Sequence, residues 1–264
     1  MLNFLKINFV NRKKILVMAI MDLKKLYAGS FLGLIWIILK HLIIVNVFWF
    51  TFYIGLRGSN YVDGVPYFIW LIVGLAPWFF INESLTSGAQ AMLRKAYIIK
   101  KIKFQVEIFP IINTTTNLIS HFMFLVIIFG LLIMNGFIPG LFDLSLIYYL
   151  FATFLFLWVT TILTSSVSVL IRDVPYFVQS ITSALLWLSP ILWPFTNLPY
   201  RLQVIMRLNP LHYLVNGYRN ALLFHEIALF LSIDTIIFWI EVLGIYIISV
   251  LNFKKIKPIL SDML

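Results

Sequence analysis

Leu93-Arg-Lys-Ala-Tyr-Ile-Ile-Lys-Lys-Ile-Lys-Phe104 lies between two long apolar segments and carries five cations, Arg94, Lys95, Lys100, Lys101 and Lys103, with no anion. Cations concentrated in a short loop beside an apolar span mark the cytoplasmic side of a membrane. This stretch therefore orients the chain. A short amphipathic helix here is also the handle that a soluble motor needs to push on a membrane-embedded bundle.

Outward from that loop, hydrophobic residues make up 62% of the 264 positions and charged residues 11%, too little polar surface to cover a soluble globule. The apolar runs are long rather than alternating, which predicts helices and not a barrel. Six runs, Phe31–Leu56, Tyr67–Gln90, Ile108–Met134, Leu144–Ile171, Pro175–Phe195 and Leu229–Phe253, each reach the roughly 20 residues that cross a bilayer. An even number of spans returns both termini to one side. Fifteen of the twenty lysines and arginines fall on the side of the 93–104 loop: six in residues 1–30, the five above, Arg172, and Lys254, Lys255 and Lys257. The other side has Arg57, Arg201, Arg207 and Arg219, and Lys40 sits in the first span. The expected fold is an all-α membrane protein with six transmembrane helices and cytoplasmic termini. It forms one transmembrane domain over 1–264: an interface helix in 1–30, spans one to five in 31–195, an outer segment in 196–228, span six in 229–253 and a tail in 254–264.

The net charge of +10 follows this topology. Anionic lipid and a cytoplasmic partner explain it better than nucleic acid, which is not expected as a partner. The first 16 residues mix Lys6, Arg12, Lys13 and Lys14 into apolar positions, so no cleavable signal peptide is read there. With no cysteine, there is no disulfide framework and no thiol chemistry.

Asn3–Tyr27 interleaves apolar residues, among them Phe4, Leu5, Phe9, Val10, Ile15, Leu16, Ala19, Ile20, Leu23 and Leu26, with six cations, the pattern of a helix lying along the inner membrane face. It either anchors the chain or, with the Gly29-Ser30 break, forms a collar where an anionic headgroup docks. In the second span Glu83 follows Gly74-Leu-Ala-Pro-Trp78, inside a polar stripe of Asn82, Ser84, Thr86, Ser87 and Gln90. A carboxylate in a bilayer costs roughly 2.5–3.5 kcal/mol, so Glu83 is expected to face protein or water. An interhelical bond and a place on a transport path are both open to it. Polar faces on the third span (Asn113-Thr-Thr-Thr-Asn117, Ser120, His121) and the fourth (Thr160, Thr161, Thr164, Ser165, Ser166, Ser168) either let helices approach closely or line a hydrated interior. Arg172-Asp-Val-Pro175 leaves room only for a tight turn, with Pro175 opening a helix. The pair Arg172-Asp173 is a plain turn contact or a clamp at a gate.

Ser189–Phe230 is largely apolar yet broken by Pro190, Pro194, Pro199 and Pro210. One continuous helix is forbidden. Two half-length helices over Tyr200–Leu208 and Leu211–Phe224 fit, dipping into the outer leaflet as a re-entrant pair. Trp36, Trp49, Trp78, Trp187 and Trp193 fall near expected helix ends, where belt residues concentrate; stacking on sugar rings is the alternative. Chemistry is scarce. His41, His121, His212 and His225 have neither HExxH spacing nor a cysteine partner, so no metal site is read, and no catalytic residue, P-loop or nucleophile elbow is present.

Several strings in order resemble the polysaccharide-export permeases of the ABC transporter superfamily, which include O-antigen, capsule and teichoic acid exporters. They are Asp22-Leu-Lys-Lys-Leu-Tyr-Ala-Gly-Ser-Phe-Leu-Gly-Leu-Ile-Trp36, Gly74–Trp78, Tyr97–Phe104 with Glu107 and Pro110, Arg172-Asp-Val-Pro-Tyr176, Leu188-Ser-Pro-Ile191, Asn209-Pro-Leu211 with Arg219, and Leu243-Gly244 with Phe253 and Asp262. The resemblance implies a homodimeric permease, in the bacterial cytoplasmic membrane, paired with two copies of a cytoplasmic ATPase. The partner would bind ATP and Mg, and this chain would hold no cofactor. It maps an ATPase-coupling helix onto Leu93, Arg94, Lys95, Tyr97, Lys100, Lys101, Lys103 and Phe104, with the apolar side chains offered as a surface to be gripped. The re-entrant pair maps onto Leu198–Phe224. The implied cargo is a glycan on a polyprenyl phosphate or pyrophosphate, its anion received by Arg12, Lys24, Lys25 or Arg172. Trp36, Trp78, Glu83, Trp187 and Trp193 are the channel-lining candidates. The chain departs from the family pattern at Met21, where arginine is usual, at Lys40-His41, where a proline is common, and at Gln105, again in place of proline. A related permease for a drug or simple lipid, and a membrane-embedded glycan-processing enzyme, are the competing readings.

Overall fold

The computed structural model describes residues 2–55, 61–101, 105–138, 140, 144–225 and 232–263, and it is helical in the order that the apolar runs set. The N-terminal segment, expected as one helix, forms two: α1 (Leu2–Val10) and α2 (Arg12–Leu26). The break falls at Asn11, whose side-chain amide donates to the Ile7 carbonyl at 2.7 Å and to Gln105 Oε1 at 2.5 Å. Asparagine bonding of this kind competes with continued helix. Ile15, Ala19 and Leu23, spaced by four, form the buried face of α2. Gly29 and Gly33 take φ of +83° and +51°, open to glycine without steric cost, and turn the chain into α3 (Trp36–Trp49). A π-helical turn over Phe50–Gly55 extends α3. Asp63 and Gly64, both at positive φ, close a two-residue hairpin between β1 (Tyr61–Val62) and β2 (Val65–Pro66), with Val62 opposite Val65.

The remaining helices are α4 (Tyr67–Ala89), α5 (Ala96–Lys101), α6 (Phe109–Met134), α7 (Ser145–Leu170), α8 (Val174–Leu188), α9 (Tyr200–Arg207), α10 (Pro210–Leu222), α11 (Ile233–Ile256) and α12 (Leu260–Met263). Every residue of α4 from Ile69 to Ile81 is buried. Apolar all round, it forms the central post against which α3, α6, α7, α8 and α10 pack. Small residues set the approach of its neighbours: a Cβ at Gly88 would lie 2.6 Å from Thr161 Oγ1, and one at Gly217 2.2 Å from the Tyr149 ring.

Five stretches are long and apolar enough to cross a membrane: Gly33–Phe52, Tyr67–Ala89, Val106–Met134, Ser145–Leu170 and Ile233–Ile259. They coincide with the expected spans one to four and six. The expected fifth, Pro175–Phe195, is helical only as the 15 residues of α8, about 22 Å long against a hydrocarbon core of about 30 Å. Pro190 drives Ser189 out of the helical region, to φ −91°, ψ 150°. The chain continues without helix through Ile191 and Leu192, both buried.

The half-helices expected after Pro199 are present as α9 and α10. They differ in kind. No residue of α9 is buried, whereas α10 packs among α4, α7 and α11 with its Leu211–Val215 stretch buried. Asn209 caps α10, its Oδ1 accepting from the Leu211 amide at 3.0 Å, with Pro210 at the first turn.

Candidate functional site

At one end of the bundle the 93–104 stretch opens as a 3₁₀ turn, Leu93–Lys95, and continues as α5. Lys103 and Phe104 lie outside the described residues, as does the side chain of Lys101. The apolar residues are not a free gripping surface. Leu93, Ile98 and Ile99 are half-buried against the core, because burial of these three side chains is what seats so short a helix. Arg94, Tyr97 and Lys100 are exposed, Tyr97 at 68%. Tyr97 and Lys100, and not the aliphatics, are what the stretch presents outward, because the Arg94 head turns back onto the bundle.

Distant pieces of sequence tie this segment down. Lys95 Nζ meets both oxygens of Asp22 on α2, at 2.5 and 2.7 Å. Gln105, at the family's usual proline, is bonded by Asn11. Glu107, buried at the entry to α6, pairs with Lys257 beyond α11. Arg172 does not clamp Asp173; its Nη2 donates to the Met263 carbonyl at 3.0 Å. The N-terminal helices, α5, the α7–α8 turn and the C-terminal α12 therefore meet at the basic end.

The four headgroup candidates do not converge. Arg12 lies over the Phe9 ring at 4.9 Å and edges a mainly apolar cavity of about 480 Å³ with Leu16, Ile111 and Trp158. Lys24 and Lys25 are exposed in the last turn of α2, where the helix dipole favours cations. Arg172 sits with the C-terminus. Lys25 alone of the four joins other polar groups, around a cavity of about 220 Å³ that it shares with Asp22, Ser87, Arg94, Asn113 and Asn117. Arg94 Nη2 donates there to the Ser87 carbonyl and to Asn113 Oδ1, the latter at 3.2 Å. Surrounding protein lowers the Arg94 guanidinium from its ordinary pKa, and the Asp22 carboxylate pulls the other way.

Among the channel candidates, Trp78 and Glu83 line one cavity of about 420 Å³ with Lys40, His41, Phe48 and Asn82. Glu83 Oε1 accepts from Lys40 Nζ and lies 3.0 Å from His41 Nε2. The Lys40-His41 departure in the first span and the carboxylate in the second thus form one cluster joining α3 to α4. Glu83 is six residues, about 9 Å, from the last residue of α4, towards the basic end. Trp36 is exposed at the start of α3. Trp187 is exposed and packs on Phe48 with ring centroids 6.2 Å apart; the half-buried Trp193 donates its indole N–H to the Trp187 carbonyl at 3.0 Å.

The polar stripes are satisfied within the chain, some across helices and others on their own helix. Asn117 Nδ2 donates to Ser87 Oγ at 3.0 Å, and Asn252 Nδ2 to Ser166 Oγ at 3.1 Å. Thr160, Thr164, Ser165 and Ser168 bond back to carbonyls three or four residues earlier. His121 lies 3.0 Å from Tyr218 Oη and stacks on Phe80.

Charge counting assigned Arg219 to the outer side, in the expected half-helix Leu211–Phe224. In the structure it is buried at 3% exposure on α10. Its guanidinium lies 3.4 Å from the Trp70 ring centroid and donates to the carbonyls of Pro190 at 3.0 Å and Ile191 at 2.7 Å. A Cβ at Gly74 would lie 2.2 Å from Arg219 Nη2. Three separate strings, Gly74–Trp78, Leu188–Ile191 and Asn209–Arg219, thus close into one clasp, which satisfies the carbonyls freed after α8. Tyr67 Oη adds a bond to the Leu192 carbonyl at 3.0 Å. Only the appearance of Arg219 amid apolar sequence hinted at burial. Among the described residues, no group of three or more histidines and carboxylates comes together to hold a metal.

A model of the ABC-2 type transporter family matches residues 13–223. Curated relatives carry the same likeness along nearly the whole chain. An O-antigen export system permease protein RfbA of Klebsiella pneumoniae is 26% identical over 240 residues, covering 88% of this chain and 90% of the relative. An O-antigen export system permease protein RfbA of Myxococcus xanthus is 24% identical over 208 residues, 78% of each.

Proposed function

Because the chain belongs to the ABC-2 type transporter family, a family of multi-pass membrane transporters, we propose that it is the transmembrane subunit of an ATP-driven exporter of lipid-linked polysaccharide of the O-antigen type. The observation that carries the cargo assignment is the likeness to O-antigen export permeases over 88% of the chain. In this reading the protein sits in a bacterial cytoplasmic membrane with the basic end facing the cytoplasm. It crosses six times, α8 and the 189–195 stretch, buried as far as Leu192, together making the fifth crossing, and α9 and α10 form the outer re-entrant pair. Two copies build the conduit, and two copies of a separate ATPase bind ATP and Mg.

The coupling surface is the outward pair of Tyr97 and Lys100. Force applied there passes to α2 through the Lys95–Asp22 pair, while Gln105 and Glu107, at the entry to α6, tie that entry to Asn11 between α1 and α2 and to Lys257 beyond α11. The chain's own part is to hold the outer end shut through the Arg219 clasp until that force arrives.

Deleting the coding sequence from its host is expected to remove long-chain glycan from the cell surface while lipid-linked glycan accumulates inside. Unchanged surface glycan would sink the cargo assignment. Reversing Lys100, Lys101 and Lys103 to Glu is expected to abolish copurification with the ATPase encoded beside it; a complex recovered in full yield would refute the coupling assignment.

A further inference from the structure

The 220 Å³ cavity at the basic end has the composition of an anion site. It lies between α2, the end of α4 and the first turns of α6, and is roomy enough for several waters and so for a phosphate group. Three cations face it, Lys25, Arg94 and Lys95, against the single carboxylate of Asp22. That carboxylate is already occupied, since both its oxygens accept from Lys95. Arg94 and Lys25 keep their charge for something else: among the described residues neither has an acidic partner within ion-pair distance. The Nη2 of Arg94 is spent on the Ser87 carbonyl and Asn113 Oδ1, which anchor the guanidinium at the cavity wall between α4 and α6 and leave its other N–H groups for a ligand. Asn113 and Asn117 also line the cavity, each amide nitrogen giving one N–H to the protein, to the Ser84 carbonyl at 3.3 Å and to Ser87 Oγ at 3.0 Å, with a second N–H left over.

We propose that this cavity binds the phosphate or pyrophosphate of a lipid whose chain remains in the bilayer, with Arg94 and Lys25 as its cationic ligands. Its place beside α2, the helix read as lying at the headgroup level, argues for a lipid source. The assignment to a polyprenyl carrier rests on the export reading above. Arg94 also belongs to the turn that opens α5, so a filled cavity bears directly on the segment that an ATPase would grip. Cargo arrival is thereby sensed where force is applied.

The test uses the purified full chain in phosphatidylcholine nanodiscs, with farnesyl pyrophosphate as probe and inorganic pyrophosphate and phosphatidylglycerol as competitors. Farnesyl pyrophosphate is expected to bind, to compete with inorganic pyrophosphate, and to bind at least about ten-fold more weakly to Lys25→Gln and to Arg94→Lys, the loss of one charge-assisted bond. Lys25 is exposed at the end of α2 and its variant should fold normally. No binding to the folded wild type, or equal binding by both variants, overturns the site. Equal displacement by phosphatidylglycerol overturns the carrier assignment in favour of bulk anionic lipid, and binding of inorganic pyrophosphate alone overturns the lipid source. A chain that exports glycan yet binds none of the three probes overturns the site while the export reading stands.

Discussion

Gly74→Ala is the sharpest perturbation of the Arg219 clasp. The new methyl would lie 2.2 Å from Nη2, 2.7 Å from Cζ and 2.9 Å from Nε of Arg219, so the guanidinium must move. Its two carbonyl bonds are charge-assisted and contribute about 1.5–3 kcal/mol each. The desolvated stack on Trp70 adds about 2 kcal/mol, and replacing glycine by alanine in a helix returns about 1 kcal/mol. Losing everything sets a ceiling of about 4–7 kcal/mol; with one carbonyl bond re-formed after a shift, the cost is about 2.5–4 kcal/mol. The assay is denaturant unfolding in mixed micelles followed by tryptophan fluorescence, run as a double-mutant cycle with Arg219→Met. In the Arg219→Met background the group that the methyl strikes is gone, so the Gly74→Ala penalty should fall below about 1 kcal/mol. A single variant within about 0.5 kcal/mol of wild type, or equal penalties in both backgrounds, would refute the clasp.

Glu83→Leu leaves Lys40 unpaired in the bundle and is expected to destabilise by about 2–3 kcal/mol, below the usual range for a broken buried pair because Lys40 keeps 37% of its side chain exposed; Lys40→Met in the same chain should recover most of it, as read by the same unfolding assay. Asp22→Asn weakens a part-buried two-bond pair, so it should destabilise by about 1–3 kcal/mol and uncouple ATP hydrolysis from export, and the swap Asp22→Lys with Lys95→Asp should restore coupling; a fully coupled Asp22→Asn complex counts against force passing through this pair. Because the chain contains no cysteine, Lys100→Cys and Arg201→Cys can each be labelled alone in intact cells. An impermeant maleimide should reach only position 201, and labelling of position 100 from outside would invert the proposed topology.

How much of the molecule the sequence determined alone depends on the range of the interactions involved. Apolar runs of about 20 residues are helices wherever they sit, since a helix satisfies its backbone within the segment; five such stretches, the proline-bounded α9 and α10, and the tight turn at Pro175 were all readable. Proline and asparagine effects are local too, yet their outcome was misjudged where a partner intervened. Asn11 splits the N-terminal helix because Gln105, 94 residues on, accepts its amide. Ser189-Pro190 ends α8 early because Arg219 stands ready to take the freed carbonyls. Charge counting follows side chains to a side of the membrane but not into a core, so Arg219 was counted simply on the outer side, and Lys40-His41 and Glu83 were read apart although they form one cluster. The gripping face was misread for the same reason: periodicity names the apolar residues of α5 without saying what covers them, and packing turns Leu93, Ile98 and Ile99 inward. The sequence by itself determined a basic, helical, multi-pass membrane protein with a marked loop, because hydropathy and charge act residue by residue. Only the tertiary structure decided which cations are buried, which are paired and which are left to meet a ligand, because each of those outcomes belongs to side chains brought together from distant parts of the chain.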